Sequence, residues 1–191
     1  LCAGRYVADY CQRRFPSLPL AIVPVCVDHE RFGCQGPKRL QIAYTPRKRP
    51  FEAAVIRDLC LARHPEFHAL PWIEIDGVSE TEVAAILNET AVYLALCRFE
   101  ATGLTILEAM AAGCVVAGFT GQGGRQYASA RNGFWVEEDD CFACADALAQ
   151  AIRLATEAGP RYRDVLEAAR DATLPFSRQR MTEALIGFWR A

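Results

Sequence analysis

Short apolar runs rich in β-branched and aromatic residues alternate along this chain with longer stretches in which apolar positions recur every three or four residues. Residues 21–27 (AIVPVCV), 39–45 (RLQIAYT), 70–76 (LPWIEID), 91–97 (AVYLALC), 114–118 (CVVAG) and 133–138 (GFWVEE) fit the first pattern and predict strands. The second pattern predicts helices over 51–64, 79–89, 103–113, 141–159, 160–172 and 176–191, with a further amphipathic helix near the start of the chain. Punctuation agrees with the periods. Pro50 suits a first helical position, Ser79 with Glu82 forms a capping box, Gly113 closes a helix and Gly77 ends a strand. A short helical turn is expected at 123–128.

Strand and helix in alternation, joined by short loops, imply an α/β fold with a Rossmann-like parallel sheet and helices on both faces. Ligands of such sheets bind beyond the carboxyl ends of the strands. The loops near 28–33, 45–50, 77–79, 98–103 and 119–124 are therefore expected around one crevice.

Composition narrows the possibilities. The 191 residues, 52% hydrophobic and 23% charged, suffice for one core and exclude a disordered chain. A net charge of −2 argues against a nucleic-acid partner, and no apolar run reaches the roughly 18 residues of a membrane span. The nine cysteines sit mostly in apolar runs, as small core residues would, which favours a reducing, cytoplasmic compartment. Cys141 and Cys144 form a lone C-x-x-C without the further ligands that zinc requires. The sequence opens at Leu1 inside a helical pattern, so 1–20 is read as the end of a preceding domain or a linker helix, 21–175 as the main domain and 176–191 as a closing helix.

Three stretches carry candidate chemistry. In FEATGLTILEAMAAG, residues 99–113, Gly103 opens a helix whose first amides have no partner, so the helix tip can seat an anion. Glu108 lies just over one turn along in an otherwise apolar setting, and Glu100 lies in the loop before the tip. A carboxylate at either place can accept hydrogen bonds from hydroxyl pairs. The plainer reading is a solvated loop acid and an exposed helix residue. In TPRKRP, Arg47, Lys48 and Arg49 follow a strand, and they face a diphosphate or simply form a solvated basic turn. In GFTGQGGRQYA, glycines 118, 121, 123 and 124 mark a backbone that either lies open to a ligand or is only a flexible loop. Glu137 to Asp140 most simply precede and cap a helix.

The segment from Glu100 to Gly113 resembles the paired-glutamate region of retaining GT-B glycosyltransferases of the group 1 type. IVPVCVDHERF at 22–32, the basic loop before the helix at 51–64, the glycine-rich stretch into NGFWVEEDD, and the closing PFSRQRMTEALIGFWR are similar to that family in the same order. The resemblance spans residues 20 to 190 and implies the C-terminal, donor-binding half of a GT-B fold. By that resemblance Glu108 holds the nucleotide ribose and Glu100 contacts the donor sugar as the catalytic acid position. Gly103, Leu104 and Thr102 with Lys48 and Arg47 bind the diphosphate, and Gly77 and Val78 flank the base.

The resemblance further implies a UDP-, GDP- or ADP-sugar as donor, transfer with retention, no metal and no other cofactor. The N-terminal acceptor domain is missing from the sequence, so the isolated chain is expected to be inactive. Any membrane association, at the inner face, would come through other parts of the protein. Polysaccharide biosynthesis is the implied setting. Ala43 stands where the family pattern has an arginine, Ala101-Thr102 replaces its Gly-Phe, and Arg125-Gln126 stands where a glutamate is usual. Those departures motivate the alternative of a degenerate, non-catalytic nucleotide-sugar-binding or assembly module.

Overall fold

A computed structural model describes residues 1–33 and 36–190. Cys34 and Ala191, the last residue of the predicted closing helix, lie outside the described residues. Five strands form one parallel sheet: β1 (Arg39–Tyr44), β2 (Trp72–Glu74), β3 (Thr90–Cys97), β4 (Val115–Thr120) and β5 (Phe134–Val136), in the order β2-β1-β3-β4-β5. The helices are α1 (Arg5–Arg14), α2 (Pro50–Arg63), α3 (Glu80–Glu89), α4 (Leu104–Ala111), α5 (Gly121–Gly124), α6 (Cys141–Glu157), α7 (Pro160–Thr173) and α8 (Arg178–Arg190).

The sheet is buried on both faces because its central strands are apolar at nearly every position. In β3 all eight residues are buried. Val92, Leu94 and Leu96 point to a core shared with α2 and α6, while Tyr93, Ala95 and Cys97 point to a second core shared with α3 and α4. Each large aliphatic side chain so buried contributes about 1.5–3 kcal/mol. The capping box forms as the spacing requires: the Ser79 hydroxyl accepts from the Glu82 amide, and the Glu82 carboxylate accepts from the Ser79 amide at 2.8 Å. Lys38 places its ammonium on the Leu87 carbonyl at 2.9 Å and on the Ala112 carbonyl at 2.5 Å, anchoring the ends of α3 and α4 with one cation.

One predicted strand is absent. Residues 21–27 run extended but make only isolated bridges, Ile22 with Cys2 and Val27 with Ser177. Pro24 lacks the amide that a ladder needs, and the segment lies outside the sheet as a seam between the two ends of the chain. The loop 28–33 therefore does not follow a sheet strand. Asp28 instead closes it locally, its Oδ1 accepting from the Glu30 and Arg31 amides. The helical turn expected at 123–128 begins two residues earlier, at Gly121.

Strand order reverses at β1, whose chain goes out to β2 and returns across it to β3. The carboxyl ends of β1 and β3 are thus neighbours with their loops diverging, which leaves a crevice between 45–49 and 98–103.

Candidate functional site

The floor of that crevice is a small cavity of about 50 Å³ lined by Thr45, Arg47, Lys48, Tyr93, Leu96, Cys97, Glu100 and Thr105. Lys48 sits in a 3₁₀ turn after β1 and Glu100 in the loop after β3. Their side chains meet in an ion pair of 2.7 Å, both only part-exposed. Tyr93 donates its hydroxyl to Thr45 Oγ1 at 3.2 Å, and burial pushes that phenol far above its ordinary range. The charges of Glu108 and Glu100 add a small push in the same direction.

Gly103 is the N-cap of α4, left-handed at φ +78, and no side chain caps the helix. The first-turn amides of Leu104 and Thr105 are left without a side-chain cap. Beneath the tip, Tyr127 donates to the Gly103 carbonyl at 3.0 Å, and a Cβ on Gly103 would lie 2.9 Å from that hydroxyl. Along α4, Ile106, Leu107, Ala109 and Met110 are buried, so Leu104, Thr105 and Glu108 form its open stripe. Glu108 is half-buried and, among the described residues, its carboxylate makes no hydrogen bond or ion pair. Burial, with Glu80 nearby as a second cause, pushes its carboxyl up to about 7. Gly77 and Val78, in the turn before α3, are both exposed.

Arg47, Lys48 and Glu100 line the crevice floor together with Thr105 of α4. Gly103, Leu104 and Glu108 belong to the same helix and its tip, and Gly77 and Val78 to the exposed turn before α3. Thr102 is different. Its side chain is buried and its hydroxyl donates to the Ala3 carbonyl at 2.9 Å, so it faces the start of α1 rather than the crevice. Arg49 also departs from the basic cluster. It is 1% exposed and turned away, bonded to the Cys97 carbonyl and to Glu52, Glu138 and Asp139. Ala43 is fully buried within β1 and packs in the second core, so of the two arginines able to stand in for one there, only Arg47 remains on the crevice.

The glycine-rich stretch serves the protein's own packing. A Cβ placed on Gly123 would lie 2.4 Å from the carbonyl carbon of Ala101 and the amide nitrogen of Thr102. The glycine turn thus seats the loop that carries Glu100, rather than exposing backbone to a ligand. Asp140 caps α6 through the Ala143 amide at 2.9 Å, as expected, but Glu138 and Asp139 bind Arg49. Sequence reasoning missed Tyr127, and it read Arg49 as a crevice or solvated cation and Glu138 as part of a helix-capping run, whereas the two bind each other. A larger cavity of about 770 Å³ lies along the outer edge of β5, reaching Arg125, Trp135 and Arg161, away from the crevice. No group of three or more His, Cys, Asp or Glu side chains able to hold a metal occurs among the described residues, and no helix among them is long and apolar enough to cross a membrane.

Comparison with known proteins locates this architecture. A sequence model described as glycosyl transferases group 1 matches residues 52–154, which include Glu100, Gly103 and Glu108 but not Lys48. An alpha-1,6-glucosyltransferase of Actinobacillus pleuropneumoniae serotype 7 (strain AP76) is 32% identical over 121 residues, covering 59% of this chain and 35% of the relative. Among solved structures, a point mutant of S. aureus TarM in complex with fondaparinux, alpha-GlcNAc-glycerol and UDP superposes with a TM-score of 0.75 at 14% identity, covering 94% of this chain and 41% of TarM. The pneumococcal O-GlcNAc transferase GtfA in complex with UDP and GlcNAc gives a TM-score of 0.65 at 17% identity, covering 99% of this chain and 43% of GtfA. The chain spans about a third of the length of the curated relative and under half of these two solved chains.

Proposed function

This chain belongs to the group 1 glycosyl transferases, and from that premise we propose that it forms the donor-binding half of an enzyme moving a sugar from a nucleotide-diphosphate sugar to an acceptor, with retention. The observation that carries the reading is Glu108. A carboxylate left unpaired on the open stripe of a helix with an uncapped tip, whose Thr105 lines the cavity together with Lys48, fits a ligand that brings both hydroxyls and negative charge.

In this reading the α4 tip, Lys48 and Arg47 receive the diphosphate, and Glu108 accepts from both ribose hydroxyls. Gly77 and Val78 flank the base, and Glu100 accepts from hydroxyls of the sugar. As the glycosidic bond breaks, charge grows on the leaving diphosphate, and fixed amides and cations stabilise it without reorganising. The alpha-1,6-glucosyltransferase relative makes UDP-glucose the first donor to try. Calorimetric titration with UDP, GDP and ADP is expected to show one of them binding the isolated chain, with little or no transfer until the rest of the protein is present. A folded chain that binds none of the three sinks the proposal.

Glu108 gives a pH signature. Its carboxyl is raised from 4.5 to about 7, so the folded state holds the proton more tightly than the unfolded state does. Stability is therefore lost as pH rises from 4.5 through 7, and the penalty is complete above that window. Glu108→Gln is expected to stabilise the free domain by about 1–2 kcal/mol at pH 8, after discounting for solvent. The gain should vanish toward pH 4.5, as read by urea unfolding across pH. Ribose hydroxyls favour the ionised acid, so nucleotide binding at pH 7 should release protons in the parent chain and none in Glu108→Gln. Calorimetry in buffers of different ionisation enthalpy reads that difference.

A further inference from the structure

The buried charge cluster around Arg49 lies outside the crevice, yet the bonds it makes reach segments that shape it. Arg49 donates Nε to the carbonyl of Cys97 at 2.9 Å, the last residue of β3 before the Glu100 loop. Its Nη2 reaches Glu138 Oε2 at 2.5 Å, and its Nη1 reaches Asp139, and Glu52 at 3.2 Å. The guanidinium carbon lies 4.6 Å from the centre of the Phe119 ring in β4. Glu138 passes the constraint on, because its Oε1 accepts from the Gly121 amide at 2.9 Å. The turn that begins at Gly121 holds Arg98 through the Gln122 amide, 3.0 Å from the Arg98 carbonyl, and supports Ala101 and Thr102 through Gly123. A single guanidinium therefore ties both ends of the segment 97–102.

A second observation shows that the cluster holds its neighbours against their own preference. Asp139 is a non-glycine residue at φ +67, and its side chain is on Arg49. The left-handed region is disfavoured for residues with a side chain, less so for aspartate. The fork geometry of arginine is what allows these acceptors, drawn from three separate stretches of chain, to share one side chain, and a lysine point charge lacks it.

We infer that Arg49 is a positioning residue for the crevice: through Cys97, Glu138 and Gly121 it fixes the loop that presents Glu100 and the α4 tip, without touching the ligand. The inference rests on the donor-site reading only for its consequence in binding; the ordering itself is measurable without ligand.

Amide hydrogen exchange of the full-length protein tests it, comparing the parent with Arg49→Met, Arg49→Lys and Glu138→Ala. In Arg49→Met the amides of 97–104 and 121–124 are expected to exchange roughly tenfold faster or more, while α2 and α6 keep their protection. Arg49→Lys should recover only part of that protection. Glu138→Ala, which leaves Arg49 with Cys97, Glu52 and Asp139, should loosen 121–124 and with them the far end of the loop at 100–102, and serves as the deciding variant if Arg49→Met does not fold. Unchanged exchange in these two segments, or an even loss across the sheet, overturns the inference. A parallel UDP titration of the same samples separates the two proposals. Faster exchange with weakened binding supports both, whereas faster exchange in a protein whose parent binds no nucleotide supports the positioning role and sinks the donor reading.

Discussion

Glu100→Gln is expected to lower sugar transfer by the full-length protein by about 10²- to 10³-fold while leaving nucleotide affinity unchanged or slightly higher. The split follows from the 2.7 Å ion pair with Lys48. In the free domain the lysine that would meet the diphosphate is already neutralised by the acid that would meet the sugar. On the proposed reading, donor binding parts them, sending Lys48 to phosphate and Glu100 to hydroxyl. Glutamine keeps the size of the side chain but removes its charge, so Lys48 is released and the diphosphate no longer competes for it. The sugar loses a charge-assisted contact that strengthens as positive charge develops at the anomeric carbon. Removing one such preorganised contact typically raises the barrier by about 2.7–4 kcal/mol. Steady-state kinetics reads the outcome as a fall in kcat without a rise in KM. Unchanged transfer would remove Glu100 from the chemistry. Absence of transfer in the parent full-length protein, with nucleotide binding intact, would favour a non-catalytic module instead.

The elements of this fold are readable because their signals are local. Apolar runs, capping residues and proline positions act within a few residues, and β3, α3 and α4 follow from them almost to the residue. The segment 21–27 misleads for the same reason. Its composition suits a strand, but one proline and the lack of a neighbouring edge decide otherwise, and the edge is a tertiary property. The acids and the helix tip are visible as residue types, since an isolated glutamate in an apolar helix must have a partner or a purpose. What the sequence does not carry is the partnering of cations. Arg47, Lys48 and Arg49 are adjacent, yet one is exposed, one pairs with Glu100 and one is buried, with two of its acids some ninety positions away in sequence. The glycines mislead in a related way. A run of glycines reports that something approaches the backbone, and here that something is the protein's own loop at Ala101 and Thr102.

Among the described glycines, the closest backbone approach is at Gly118. Gly118 lies in the middle of β4, opposite Ala95 of β3 on one side and Trp135 of β5 on the other. Its φ is +131, a conformation that residues with a Cβ rarely adopt. A Cβ placed there would lie 2.3 Å from the Ala95 carbonyl oxygen and 3.1 Å from both its carbonyl carbon and its amide nitrogen. None of these atoms is the tip of a flexible side chain, so β3 and β4 must move apart or Gly118 must rotate and break its ladder. Backbone strain of about 1–3 kcal/mol and overpacking of about 1–3 kcal/mol act together. Gly118→Ala is therefore expected to destabilise the domain by about 4 kcal/mol and to lower Tm by about 10 °C. Gly187→Ala in α8 is the matched control. A Cβ there meets nothing within 4 Å, so the same chemical change should leave stability unchanged or raise it by up to about 1 kcal/mol. Urea and thermal unfolding of the two variants decide the point, and a Gly118→Ala domain within about 1 kcal/mol of the parent would refute the close approach of the strands. The consequence reaches the crevice as well. β3 and β4 end at Cys97 and Thr120, where the Glu100 loop and the glycine turn begin. Any Gly118→Ala protein that folds must have spread those two strands or broken the β4 ladder, and is expected to lose nucleotide binding with its acids and helix tip chemically untouched.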